Sequence, residues 1–110
     1  MNFYIGNSVK DINLNNKNIE FSDELIEYIY NSRDKVLFDM SKLYDIDPYD
    51  DVVILADDIQ LIINTCKSIL VSTILKDARE SEIWTIMLNE LINMEQQALS
   101  METGIVSIGD

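Results

Sequence analysis

The side chains best able to do chemistry in this chain are carboxylates, which are concentrated between residues 45 and 58. The concentrated acids are Asp45, Asp47, Asp50, Asp51, Asp57 and Asp58. Carboxylates at this density suit a metal ion or the Lys and Arg side chains of a partner protein. Asp45 and Asp47 open like a calcium-binding loop, but Tyr49 takes the third ligand position, Asp50 replaces the turn glycine and Ala56 replaces the final acid. We therefore predict no metal site here.

The residue types needed for catalysis are scarce. Histidine is absent, so the commonest general base and the Ser-His and Cys-His arrangements are missing. Cys66 is the single cysteine, and its apolar helical neighbours predict a buried, unreactive thiol. No glycine-rich phosphate-binding motif occurs, and all acids fall at predicted helix starts, loops or polar faces. We predict a protein without cofactor that is not an enzyme.

The charge balance limits the class of partner. Twenty acidic and eight basic residues leave a net charge of -12, which repels nucleic acid and anionic lipid and favours a basic partner. The chain has no apolar run long enough for a membrane span, no signal-peptide pattern and no possible internal disulfide. We expect one cytoplasmic domain over residues 1–110.

Four tyrosines stand among the acids and allow two interpretations. Tyr28, Tyr30, Tyr44 and Tyr49 either grip Lys and Arg of a partner, by cation-π contact beside charge-assisted hydrogen bonds, or half-cover the core. A partner-binding site is predicted at the acid-rich segment. Its residues are Asp45, Asp47, Tyr49, Asp50 and Asp51.

Two long helices must carry the core. From residue 59 onward, the apolar residues lie on one side of a helix with 3.6 residues per turn, and they are Ile59, Ile62, Ile63, Cys66, Ile69 and Leu70. The next helix contains two sets of three apolar residues, and within each set the residues are seven positions apart. The first set is Trp84, Leu91 and Ala98, and the second is Met87, Met94 and Met101. We predict an antiparallel helical hairpin, in which a charge at Leu91 or Ile63 unfolds the domain.

The helix boundaries follow from capping signals. Ser22 or Asp23 caps a first helix, and Asp57 or Asp58 caps the helix that begins at residue 59 and ends near Leu75. The last helix begins at Ser81 and stops at Thr103, where Gly104 offers a left-handed conformation. Residues 35–44 fit both a helix and a strand, and we prefer the helix.

Short β-branched or alternating segments predict strands at residues 3–5, 19–21, 52–55 and 105–108. The first two can pair as a hairpin across an asparagine-rich loop, and the two terminal strands can meet in one sheet. The predicted fold class is α+β, mostly helical, with the helical hairpin packed on this small sheet.

The methionine set leaves two possibilities open. Met87, Met94 and Met101 either fill an irregular core or form part of an exposed seam through which a homodimer assembles. An uncharged polar stripe on the same helix is compatible with a contact surface. The stripe consists of Thr85, Asn89, Asn93, Gln96 and Ser100.

Three segments resemble one family. Residues 3–7 (FYIGN), 43–52 (LYDIDPYDDV) and 104–110 (GIVSIGD) are similar to those of small acidic immunity proteins from bacterial polymorphic toxin systems. The resemblance implies a cytoplasmic protein that binds one cognate toxin domain and blocks it without catalysis. An acidic phage inhibitor of a bacterial defence nuclease and a small dimeric helical regulator are the alternatives.

Overall fold

The computed structural model describes residues 1–109, which form four β-strands and four α-helices. The strands are β1 (Asn2–Ile5), β2 (Ile19–Glu20), β3 (Val52–Ile54) and β4 (Ile105–Ile108). The helices are α1 (Asp23–Asn31), α2 (Ser41–Tyr44), α3 (Ala56–Val71) and α4 (Ser81–Ser100). Single turns of 3-10 helix occur at Val9–Asp11 and Arg33–Lys35.

The strands form one antiparallel sheet in the order β2-β1-β4-β3. Phe3 of β1 pairs with Ile19 on one side and with Ser107 on the other. At the far edge, Val53 of β3 pairs with Val106 of β4. The predicted hairpin of the first two strands and the meeting of the terminal strands are confirmed, so residues at opposite ends of the chain are brought side by side.

The helical hairpin of α3 and α4 has the most extensive contact between any two elements, and α4 also packs on β1 and β2. Its buried residues on α3 are Ile59, Ile62, Ile63, Thr65, Cys66 and Ile69. On α4 they are Trp84, Leu88, Leu91, Ile92, Met94, Glu95 and Ala98. Apolar residues spaced three and four apart put one face of each helix into the core. The predicted α+β fold with a helical hairpin is confirmed.

The three methionines of α4 and its C-cap have different surroundings. Met94 is buried, Met87 is half-buried against the core, and Met101 is 58% exposed. They therefore do not form one exposed row. Homodimerisation through them stays a prediction.

The start of α3 differs from the prediction. The N-cap is Leu55 rather than Asp57 or Asp58, which lie in the first turn, and among the described residues the helix start has no side-chain capping hydrogen bond. β3 and α3 are separated by Leu55 alone, so the strand runs directly into the helix. The two carboxylates still stabilise this end, because the positive end of the helix dipole favours acids in the first turn.

The end of α3 also differs, since the helix stops at Val71 instead of near Leu75. The Ser72 hydroxyl donates to the Ile69 carbonyl oxygen at 2.7 Å, and the Ile74 amide donates to the Ser72 hydroxyl at 3.4 Å. A serine that bonds the local backbone in this way competes with further helical turns. Leu75 remains in the core, in the connection between the two helices.

The predicted helix over residues 35–44 is wrong except at its end. Only α2 is α-helical, and residues 36–40 are irregular. The Asp39 carboxylate accepts a hydrogen bond from the Ser41 amide at 2.8 Å, which stabilises a helix start there. Before it, Val36 and Phe38 pack on the core while Leu37 is exposed. Burial therefore alternates along residues 36–40, as in an extended segment and not as in a helix, although these residues form no strand.

The residue in the left-handed conformation at the end of α4 is Glu102 and not Gly104. Glu102 has a φ of 55°, and the Thr103 amide donates to the Ala98 carbonyl oxygen at 3.0 Å, as in a Schellman motif. Gly104 is needed for space, because a Cβ there would lie 2.8 Å from the Ile54 carbonyl oxygen. The predicted left-handed stop is thus two residues too late.

Replacing Glu102 by glycine is expected to stabilise the protein by about 1 kcal/mol, because a left-handed conformation strains a side chain with a Cβ and does not strain glycine. Urea unfolding measures the change. The control is Glu102→Ala, which removes the carboxylate but keeps the Cβ and should change stability by less than about 0.5 kcal/mol. Equal stabilisation by alanine would show that charge, not backbone strain, is the cause.

Candidate functional site

The acid-rich segment forms an exposed loop between α2 and β3, which we call the acidic loop (residues 45–51). All predicted partner-binding residues are exposed in it, namely Asp45, Asp47, Tyr49, Asp50 and Asp51. The Tyr49 side chain is 78% exposed. Ile46 points the other way and is buried in the core, so it anchors the loop. The structure therefore brings the five predicted residues together on one segment of the surface.

Hydrogen bonds to the backbone hold the acidic loop in shape. The Asp47 carboxylate accepts from the Tyr49 amide at 2.9 Å, and the Asp50 carboxylate accepts from the Asp51 amide at 2.8 Å. The Asp51 carboxylate accepts from the Gly109 amide at 3.1 Å, which ties the loop to the segment after β4. The loop is preorganised, so less conformational entropy is lost when a partner orders it.

The carboxylates of the acidic loop carry uncompensated charge. Within residues 1–109, none of the four loop aspartates forms an ion pair, whereas Lys42 nearby pairs with Asp58 at 3.1 Å. The described residues include no group of three or more acids or cysteines arranged to hold a metal ion. Unpaired carboxylates on the surface repel one another, and a cationic partner relieves that repulsion.

The four tyrosines have different roles. Tyr28 is half-buried, stacks against Trp84 at 5.1 Å between ring centroids and donates its hydroxyl hydrogen to the Ile74 carbonyl oxygen. Tyr30 meets Tyr44 edge-on at 5.2 Å, and the Arg33 guanidinium lies 3.9 Å from the Tyr30 ring centroid. The chain's own arginine therefore already occupies one face of that ring.

Of these four tyrosines, Tyr49 lies within the acidic loop, and within residues 1–109 its side chain makes no hydrogen bond or ring contact. Because this side chain is 78% exposed, most of it is available to a partner, whereas Tyr28 packs against the core. Of the two interpretations of the tyrosines, the structure supports core packing for Tyr28 and leaves partner contact for Tyr49 as a prediction.

A groove of about 610 Å³ lies between α4 and the β1-β2 hairpin. Its apolar residues are Ile5, Ile19, Met94 and Met101, and its polar residues are Tyr4, Asn16, Lys17, Asn18, Glu90, Asn93 and Gln97. Only Asn93 belongs to the predicted uncharged stripe. Because β2 and β3 are the two edges of the sheet, this groove and the acidic loop lie toward opposite edges.

Glu95 is the ionisable residue that the sequence reasoning missed, since the prediction that all acids lie at helix starts, loops or polar faces is wrong for it. Its side chain is 0% exposed on the buried face of α4, and within residues 1–109 neither carboxylate oxygen has a hydrogen-bond partner. Burial raises the pKa of Glu95 to about 9, so the carboxyl group is neutral at pH 7. The available signal was spacing, because Leu88, Leu91 and Ala98 lie seven, four and three residues from Glu95 on the same helical face.

Cys66 lies on α3 and is fully buried, as predicted. Burial raises the pKa of its thiol, and Glu95 raises that pKa further at the high pH where its carboxyl group is ionised. The thiol is therefore neutral and shielded, and neither group reaches solvent to contact a substrate. The pair contributes to the energetics of the hairpin rather than to a reaction at the surface.

The fold and the exposed site define a small α+β protein with a preorganised acidic loop, whose aspartates form no ion pair in the part of the chain that the structure describes. No helix within residues 1–109 is both long and apolar enough to cross a membrane. No protein-family model, curated protein or solved structure matches the chain.

Proposed function

We propose that this protein is a non-catalytic, cytoplasmic binding protein that neutralises a cognate bacterial toxin domain. The acidic loop contacts a basic surface of the toxin and occludes it, with Asp45, Asp47, Tyr49, Asp50 and Asp51 as the contact residues. The observation that carries the proposal is the set of four exposed loop aspartates that form no ion pair within residues 1–109. The resemblance of three segments to immunity proteins supports the toxin as the partner.

Electrostatics favours this use of the loop. The net charge of -12 attracts a cationic domain over distances of about a Debye length, which is about 8 Å at physiological salt. Charged surfaces of opposite sign raise association rates, and added salt lowers them. The basic substrate-binding cleft of a nuclease toxin is the kind of surface that this loop fits. We expect association to slow markedly as salt rises from 50 to 500 mM.

The functional test uses the reading frame next to this gene. The proposal predicts that this frame encodes a large secreted protein, whose C-terminal domain is then expressed from an inducible promoter, with and without this protein. Growth arrest by the domain alone and restored growth on co-expression are the expected results. Arrest that persists on co-expression, or a domain that does not harm cells, would contradict the proposal.

Neutralising the loop is expected to weaken toxin binding about 100-fold or more. The variant carries Asp45→Asn, Asp47→Asn, Asp50→Asn and Asp51→Asn, and asparagine keeps the side-chain oxygen that accepts the loop hydrogen bonds. Loss of about 0.7 kcal/mol for each of the four charged contacts, about 3 kcal/mol in all, gives that factor. Titration calorimetry at two salt concentrations measures both affinity and its salt dependence.

A matched control removes the same number of charges elsewhere. Glu27→Gln, Asp34→Asn, Asp77→Asn and Glu80→Gln change four exposed acids that lie outside the acidic loop and make no side-chain hydrogen bond or ion pair within residues 1–109. This control should weaken binding less than about tenfold, through long-range attraction alone. Equal losses in the two variants would show that net charge matters and that the loop is not the contact site.

A further inference from the structure

The edge strand β3 follows directly on the acidic loop and has one unpaired side. Its only strand partner is β4, and no other segment within residues 1–109 forms a backbone or side-chain hydrogen bond to residues 52–54. The N–H and C=O groups on its outer side are therefore free to pair with another chain. An open edge of this kind is where an extended peptide adds a strand to a sheet.

Apolar side chains accompany this open edge. Val53 is 38% exposed and Leu55 is 62% exposed, and the exposed Tyr49 precedes them in the acidic loop. Residues 53 and 55 lie on the same face of the extended segment because side chains alternate along a strand. That face is opposite to the one on which Ile54 enters the core. An added strand can therefore gain apolar contacts as well as main-chain hydrogen bonds.

The charges around β3 decide which occupant fits. Asp50 and Asp51 precede the strand and Asp57 follows it, and all three are exposed without an ion pair within residues 1–109. A second copy of this chain paired through β3 would bring these aspartates together in the two copies, and like charges disfavour that arrangement. A strand that carries Lys or Arg is favoured for the converse reason.

The opposite edge of the sheet is less suited to the same use. β2 has only two residues, and although Glu20 lies in it, Lys17 stands two residues before it. A basic strand would find fewer main-chain groups there and would meet a like charge as well as an acid. The longer strand β3, which has acids at both ends, is therefore the better acceptor.

We propose that β3 receives an extended, Lys- or Arg-bearing segment of the partner by strand addition, so that the toxin domain is bound through a continued sheet as well as through the acidic loop. The inference rests on the proposed function for the identity of the partner. It adds the geometry of recognition, in which main-chain hydrogen bonds supply affinity and the flanking aspartates select a basic strand.

Hydrogen exchange followed by NMR tests the geometry directly, with the toxin domain of the growth assay as the probe. The amides of residues 52–55 that point away from β4 should exchange rapidly in the free protein and at least about tenfold more slowly in the complex. Unchanged exchange at these amides in a complex that still forms would overturn strand addition and leave the proposed function standing. Absence of any complex would overturn both.

A pair of variants provides an independent readout. Val53→Lys puts a positive charge on the solvent face of the edge, where it repels a basic strand, and should raise the Kd at least about tenfold. Val71→Lys makes the same change at an exposed residue that ends α3, and should leave the Kd within about threefold. Circular dichroism checks that both variants fold. Equal Kd values for the two variants would contradict a contact at β3.

Discussion

Replacing Glu95 by leucine is expected to raise the free energy of unfolding at pH 7 by on the order of 5 kcal/mol. Two penalties disappear together. The folded protein must keep the carboxyl group protonated at pH 7, and it must also bury two oxygen atoms that have no hydrogen-bond partner within residues 1–109. The second penalty alone is about 1 to 3 kcal/mol in proteins. Leucine fills a similar space between α3 and α4 with apolar atoms.

The protonation penalty gives the stability a defined pH dependence. The pKa of Glu95 is about 9 in the folded protein and near the ordinary 4.5 in the unfolded chain. Between these values the folded state binds more protons, so stability falls as pH rises. The penalty is absent below pH 4.5, reaches about 3 kcal/mol at pH 7 and levels off above pH 9 at about 6 kcal/mol, at roughly 1.4 kcal/mol per pH unit.

The variant Glu95→Gln separates the two penalties. Glutamine cannot ionise, so the part of the pH dependence that comes from residue 95 should vanish while the buried polar atoms remain. Urea unfolding from pH 5 to pH 9 should show the wild type losing several kcal/mol relative to both variants, with the leucine variant the most stable. Parallel pH curves for all three proteins would show that Glu95 is ionised in the folded state or reaches solvent.

Replacing Leu91 by aspartate is expected to unfold the domain at pH 7 and 25 °C. Leu91 is fully buried and lies one helical turn before Glu95 on the seam between α3 and α4. Loss of the leucine costs about 2 to 5 kcal/mol, and burial of a second carboxyl group adds several more. Because single domains are stable by only about 5 to 15 kcal/mol, this change removes most or all of that margin. Ile63→Asp on the facing helix should act in the same way.

Far-ultraviolet circular dichroism and NMR dispersion reveal the loss of fold. The control is Ile83→Asp, which introduces the same acid on α4 at a residue that is exposed to solvent. This control should remain folded and change stability by less than about 1 kcal/mol. A folded Leu91→Asp variant of near wild-type stability would show that the interface between α3 and α4 does not determine the stability of the core.

Glu95 and Leu91 also show what periodicity can and cannot predict. The helical spacing that places Leu91 in the core also places Glu95 there. The prediction of buried residues took only apolar side chains into account and therefore omitted Glu95. A preference of acids for the surface is a tendency, whereas the helical phase of a residue is a geometric constraint. At Glu95 the helical phase favours burial and the preference of acids favours exposure. The side chain is buried, and burial raises its pKa so that the carboxyl group stays protonated.

The acidic loop was predictable for a related reason. Pro48 and the surrounding aspartates exclude helix and strand, and so many carboxylates are not buried together, so exposure follows from composition. The sequence did not indicate that the Asp51 carboxylate bonds the Gly109 amide, because that contact joins residues 58 positions apart. Nor did it indicate that the loop leads into an edge strand, since strand order depends on which segments pair.

Local errors arose where two patterns competed. Residues 36–40 fit both periods, and the Asp39 side chain decided between them by bonding the Ser41 amide. At the end of α4, glycine was expected at the left-handed position, but Glu102 adopts it. Gly104 is required for a different reason, since a Cβ there would lie 2.8 Å from the Ile54 carbonyl oxygen.

From the amino-acid sequence alone follow the α+β class, the four strands, the helical hairpin, the acidic surface and the exposed loop. Each depends on composition or on spacing within one segment, where the physics is local. Tertiary structure alone decided the sheet order that leaves one edge of β3 open and the hydrogen bond between the acidic loop and Gly109. Those features depend on which distant segments meet, and hydrophobic burial selects that arrangement for the chain as a whole.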